Sequence, residues 1–94
     1  MVNYVDFLTT YKEMQGNNTR YLTVTFNIPA RTGYTPRAVF YQNNNQTPDV
    51  VAYVPMQVLA DNSTTADISL TLTDTSRTFN FTTTYTAKIL YIKS

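Results

Sequence analysis

Residues Tyr21 to Tyr41 read YLTVTFNIPARTGYTPRAVFY, and the first half of that stretch decides the fold class. Leu22, Val24, Phe26 and Ile28 share one parity, and Tyr21, Thr23, Thr25 and Asn27 share the other. Successive strand side chains point to opposite faces, so this alternation predicts a half-buried β-strand. Pro29 removes a backbone donor and ends the pairing. Gly33-Tyr34-Thr35-Pro36 reads as a turn, and Ala38 to Gln42 as the second core strand. Pro36 fixes the exit of that turn, Tyr34 packs back over the core, and the flanking Arg31 and Arg37 are expected to stay solvated.

Working outward, Thr9 to Met14 alternates weakly and is expected as an edge strand, with Lys12 and Glu13 guarding the edge. Gln15-Gly16-Asn17-Asn18 is a turn signal, because Gly and Asn tolerate positive φ. Met1 to Leu8 fits a helical turn, a short strand, or a linker or stalk remnant. Downstream, Asn43 to Asp49 is a polar loop with nothing to bury. Over Val50 to Leu59 the reading puts Ala52, Val54, Met56 and Val58 on one side and Val51, Tyr53, Pro55 and Gln57 on the other, with Pro55 marking an edge or bulge. Asp61-Asn62-Ser63 and Asp74 to Arg77 are turns. Between them, Thr65 to Thr73 turns Ala66, Ile68, Leu70 and Leu72 inward. The last strand, Thr78 to Lys93, exceeds the usual strand of about 5–6 residues, so a bend or bulge is expected near Thr82 to Thr84. Leu90 and Ile92 break its alternation, as a segment covered on both faces would.

The whole chain of 94 residues is expected as a single domain. The expected fold is all-β: a small antiparallel β-sandwich, jelly-roll-like, with about six or seven strands. Composition agrees. Thr, Tyr, Phe, Val and Ile suit pleated, half-exposed surfaces. Charged residues make up 14%, against about 25% in ordinary domains. The expected core is Leu22, Val24, Phe26, Ile28, Val39, Val54, Ile68, Leu70, Leu72, Phe79, Phe81 and Ile89.

The same composition narrows the chemistry. There is no His and no Cys, which excludes Ser-His-Asp and Cys-His catalysis and His or thiolate metal sites. The acidic residues lack calcium-loop spacing. One Glu and five Asp, most beside turns, show no sign of a glycosidase pair. Two glycines cannot build a phosphate loop. The seven basic residues are scattered, leaving no nucleic-acid footprint. No apolar run reaches the length of about 18 residues that a membrane span needs. No enzyme activity, catalytic residue, metal or cofactor is expected.

What remains is aromatic and amide surface. Tyr21, Tyr41 and Tyr53, with Asn43, Asn44 and Asn45 of the polar loop, are the candidate ligand or subunit contacts. Tyr gives rigid contact area with a polar tip, and Asn gives hydrogen bonds to hydroxyls. The alternative is structural: the tyrosines cover the core rims and pair across strands, and the loop is a solvated connection. Asn-x-Ser/Thr sequons such as those at Asn17, Asn62 and Asn80 are what so Asn- and Thr-rich a chain holds by chance. Without disulfides, a domain of this size is expected to gain stability by oligomerising. The N-terminal residues do not read as a secretory signal, so an intracellular protein, or release by a route other than standard secretion such as cell lysis, is expected.

Three short motifs carry a resemblance. Val24 to Pro29 (VTFNIP), Gly33 to Pro36 (GYTP) and Leu90 to Lys93 (LYIK) resemble β-sandwich modules at the C-terminal ends of tail and baseplate proteins of bacteriophages that infect Gram-positive hosts. The resemblance runs from about Thr9 to Ser94 and lies in fold-building positions. It implies a non-enzymatic virion module of tail-fibre or baseplate type for host recognition or adhesion, made in the host cytoplasm and released by lysis. It further implies a homo-oligomer, usually a trimer, whose partners are host cell-surface glycan or protein, or other virion proteins. A head fibre or capsid decoration protein, or a carbohydrate-binding module, is the alternative reading.

Overall fold

A computed structural model of the chain describes residues 4–42 and 51–94. Among the described residues seven strands follow one another: β1 (Val5–Gln15), β2 (Tyr21–Asn27), β3 (Tyr34–Gln42), β4 (Val51–Ala52), β5 (Met56–Val58), β6 (Thr65–Leu72) and β7 (Thr82–Lys93). They form two antiparallel sheets. Sheet A has the order β1-β7-β3-β5 and sheet B the order β2-β6-β4. The pairs nest: β1 with β7, β2 with β6, β3 with β5, and the chain reverses direction through β4. That is the pairing of a jelly roll with fewer strands than the full form.

Alternation builds the core. In β2, Leu22, Val24 and Phe26 are buried between exposed neighbours, and β6 repeats this with Ala66, Ile68, Leu70 and Leu72. The register sets Val24 opposite Ile68 and Phe26 opposite Ala66, so both strands present one apolar face. Sheet A answers with Val39 and Tyr41 of β3 and Tyr85, Ala87, Ile89 and Tyr91 of β7. Each large side chain buried here contributes about 1.5–3 kcal/mol. On one flank the two sheets are tied by β1 and the end of β2: Thr10 Oγ1 donates to the Asn27 carbonyl, and Arg31 pairs with Asp6.

Several boundaries differ from the sequence expectation. Val5 to Leu8, left between helix, strand and linker, pairs with Ile92 to Ile89 as the start of β1. The corner before β3 is tighter than the whole Gly-Tyr-Thr-Pro motif: Gly33 alone takes positive φ, at 83°, and Tyr34 already opens the strand. Pro36 is tolerated inside β3 because β5 reaches only Ala38 to Phe40, so no second neighbour needs its missing N–H. Arg37 is the extra residue of a bulge between Pro36 and Ala38.

The stretch after residue 50 changes sheet, from β4 in sheet B to β5 in sheet A, around Pro55. One alternation cannot span two sheets. Val54, expected in the core, is therefore exposed, and so are Met56 and Val58. The last strand is likewise shorter than expected. It begins at Thr82, and Thr78 to Phe81 instead run irregularly beside residues 16–19, where Phe79 N–H donates to Thr19 and its carbonyl accepts from Asn18. Phe79 is still fully buried, while Phe81 is half-buried.

Candidate interaction surfaces

The tyrosines singled out in the sequence separate. Tyr21 stands on the outer face of sheet B, 59% exposed, with the Arg20 guanidinium 5.7 Å from its ring centroid. Tyr41 is a correction: it is 5% exposed and belongs to the core. It lies two residues after Val39, so the two share a face. Tyr53, half-buried, packs edge-on against Tyr41 with ring centroids 4.8 Å apart. The two rings pair at a core rim. Asn43, Asn44 and Asn45 lie outside the described residues.

The outer faces of the two sheets differ in chemistry. Sheet B presents Tyr21, Thr23, Thr25 and Asn27 from β2, and Thr65, Asp67, Ser69 and Thr71 from β6. Nearly all are small and polar. Thr25 Oγ1 donates to the Asp67 carboxylate at 2.7 Å, across the strand pair. This face suits water and hydroxyl-bearing ligands.

Sheet A presents the opposite. Its register aligns Phe7, Leu90, Ala38 and Val58 in one row across all four strands. Val5 and Ile92 sit one step to one side, and Phe40 and Met56 one step to the other. Val58 is 79% exposed and Phe7 52%, and Val5, Met56 and Ile92 are also exposed. The Phe7 and Phe40 rings lie 6.5 Å apart between centroids, bridging over β7. Five of these residues are exposed, Leu90 and Phe40 are half-buried beside them, and Ala38 is buried beneath them; that clustering exceeds the singly scattered hydrophobics of an ordinary surface. The end of β7, expected to be covered on both faces, is not: Ile92 is exposed and Leu90 half-buried, because no element of the described residues packs on the outer side of sheet A there. Val5 and Phe7 gave no signal, because their segment was ambiguous, and Met56 and Val58 were placed on the same side as Val54, which was expected in the core.

At the end of the sandwich where β2 leads into β3, a groove of about 270 Å³ is lined by Pro29, Arg31, Tyr34, Asp61 and Asn62 among others. Arg31 is held there on three sides. Its guanidinium meets Asp6 at 2.5 Å and lies 5.2 and 5.5 Å from the ring centroids of Tyr34 and Tyr91. Arg37 pairs with Asp61 at the rim. Both arginines are ion-paired while staying partly exposed to solvent. The Arg31 hydrogen bond, with the Phe7 N–H, holds the Asp6 carboxyl below the ordinary carboxylate value. The groove's charges are satisfied by one another, which leaves none aimed at a ligand. Among the described residues no cluster of acidic side chains has the makings of a metal site.

No family model, curated protein or solved structure matches the chain.

Proposed function

We propose that this chain is a non-enzymatic bacteriophage virion module of tail-fibre or baseplate type, serving in host recognition or adhesion. The observation that carries the reading is the two-sided chemistry of the sandwich. One outer face is apolar and suits a fixed protein contact; the other is built of Thr, Ser, Asn and Asp around an exposed Tyr21. A module that packs against protein on one side and meets a hydrated cell surface on the other needs that division. The virion setting comes from the resemblance of Val24 to Pro29, Gly33 to Pro36 and Leu90 to Lys93 to phage tail and baseplate modules. The residue types that remain offer contacts to hydroxyls through Tyr and Asn and no nucleophile–base pair.

Sedimentation with Gram-positive cells and isolated cell walls tests the role. The chain is expected to pellet with walls of at least one host, and Tyr21→Ala to lose most of that retention with its circular dichroism unchanged. Absence of retention on every wall in a broad panel would overturn the host-recognition reading.

A further inference from the structure

We infer that the outer face of sheet A is covered by a second copy of this chain, the two sheets packing face to face in a two-fold dimer. The inference rests on the reading above for the role of that face and names its partner.

Phe7, Leu90 and Val58 in one row, with Val5, Ile92, Phe40 and Met56 on its flanks, make an apolar patch over the buried Ala38. Its charge pattern fits self-association. The outward positions of this face carry Lys88 on β7 and Glu13 on β1, one charge of each sign, so two copies meet without net repulsion. Lys88 lies at the patch border, where its long stem can lie along apolar surface with the ammonium in water. Size fits as well. Strands about 4.8 Å apart and about 3.3 Å per residue give the face a footprint on the order of 500 Å². Two such faces bury roughly 1,000 Å², where specific interfaces begin.

Shape supplies the remaining argument. Twisted sheets of one hand stack about 10 Å apart with strands turned by about 30°, as inner sandwich faces do. The chain's own outer face is a partner of matching twist and matching apolar content. Such a contact is isologous, using the same patch on both copies, and it closes at two. That departs from the trimer the phage resemblance implies.

Sedimentation equilibrium of the full chain over a wide concentration range tests this. The expected mass is twice the 10.7 kDa of one chain. Phe7→Lys and Val58→Lys each place a cation in the patch and are expected to shift the mass to one chain. Both side chains are exposed, so the fold should survive, as circular dichroism would report. A single-chain mass for the wild type at every concentration, a three-chain mass, or a dimer indifferent to both lysines would overturn the inference. Wall retention measured on the same samples separates the two readings. A monomer that pellets with walls sinks only the dimer, and a dimer that binds no wall sinks only host recognition.

Discussion

The Tyr91 hydroxyl donates to the Pro29 carbonyl at 2.5 Å, joining sheet A to the end of β2 in sheet B across 62 residues of sequence. Tyr91 is fully buried, and the Arg31 guanidinium lies beside its ring. One side chain therefore fixes the corner where the alternating strand breaks at Pro29. Tyr91→Phe keeps the ring and removes only the donor. The expected loss is about 1 kcal/mol, the usual net value of such a bond. In calorimetry this should appear as a Tm lower by about 4–8 °C. An unchanged Tm would mean that the bond does not hold the corner.

Gly16 is required for close approach. A Cβ placed on it would lie 2.0 Å from the carbonyl oxygen of Phe79, a backbone atom that cannot swing aside. Gly16 N–H also donates to Phe81, so the two segments are held together there. Gly16→Ala must push away the chain that carries the buried Phe79, at about 1–3 kcal/mol or more. Gly33→Ala meets no atom, and its penalty is that of a left-handed conformation, about 1–2 kcal/mol. Urea midpoints should rank Gly16→Ala below Gly33→Ala, with near-UV dichroism changed only in the former. The reverse order would refute the close approach.

Phe26 and Val54 mark where sequence periodicity holds and where it fails. Phe26 belongs to a strand whose seven residues stay in one sheet against one partner, β6. Its side chain is fully buried, as the alternation requires. Phe26→Ala is expected to lose about 3–5 kcal/mol and to unfold much of the isolated chain. Val54 shows equally regular alternation, yet it lies where the chain crosses between sheets and is 59% exposed. Val54→Ala should stay within about 0.5 kcal/mol of wild type. Chemical denaturation of the two variants checks both facings.

That contrast explains what was legible. Parity is a local property, so β2 and β6 can be read residue by residue, and so can the inward set of β7 from Tyr85 to Tyr91. A change of sheet is not local. The crossing at Pro55 and the irregular Thr78 to Phe81 segment follow from which strand lies alongside, information that no single segment carries. The two-sided surface was half legible for the same reason. Tyr21 and the Thr-rich face of β2 follow from alternation. The apolar patch needs the register of four strands, which brings Phe7, Leu90, Ala38 and Val58 into line from distant parts of the chain.

Tyr85 is one of the groups that tie stability to alkaline pH. It is fully buried, and its hydroxyl has no hydrogen-bond partner among the described residues. Burial raises its pKa above the ordinary 10.0, and burial raises Tyr91 in the same direction, opposed by the Arg31 charge. Both phenols hold their protons more tightly in the folded state than in the unfolded one. Above the unfolded value the folded state then binds more protons, so stability falls as pH rises. The contribution is complete below about pH 10 and is lost as pH climbs through the raised folded values. Tyr85→Phe removes an uncompensated buried hydroxyl while keeping the ring. At neutral pH it is expected to be neutral or to stabilise by up to about 1 kcal/mol, opposite in sign to Tyr91→Phe. It should also flatten the decline of urea midpoints above pH 10. A clear loss of stability at neutral pH would show that the Tyr85 hydroxyl has a partner, and an unaltered alkaline slope would show that this phenol is not among the groups that set it.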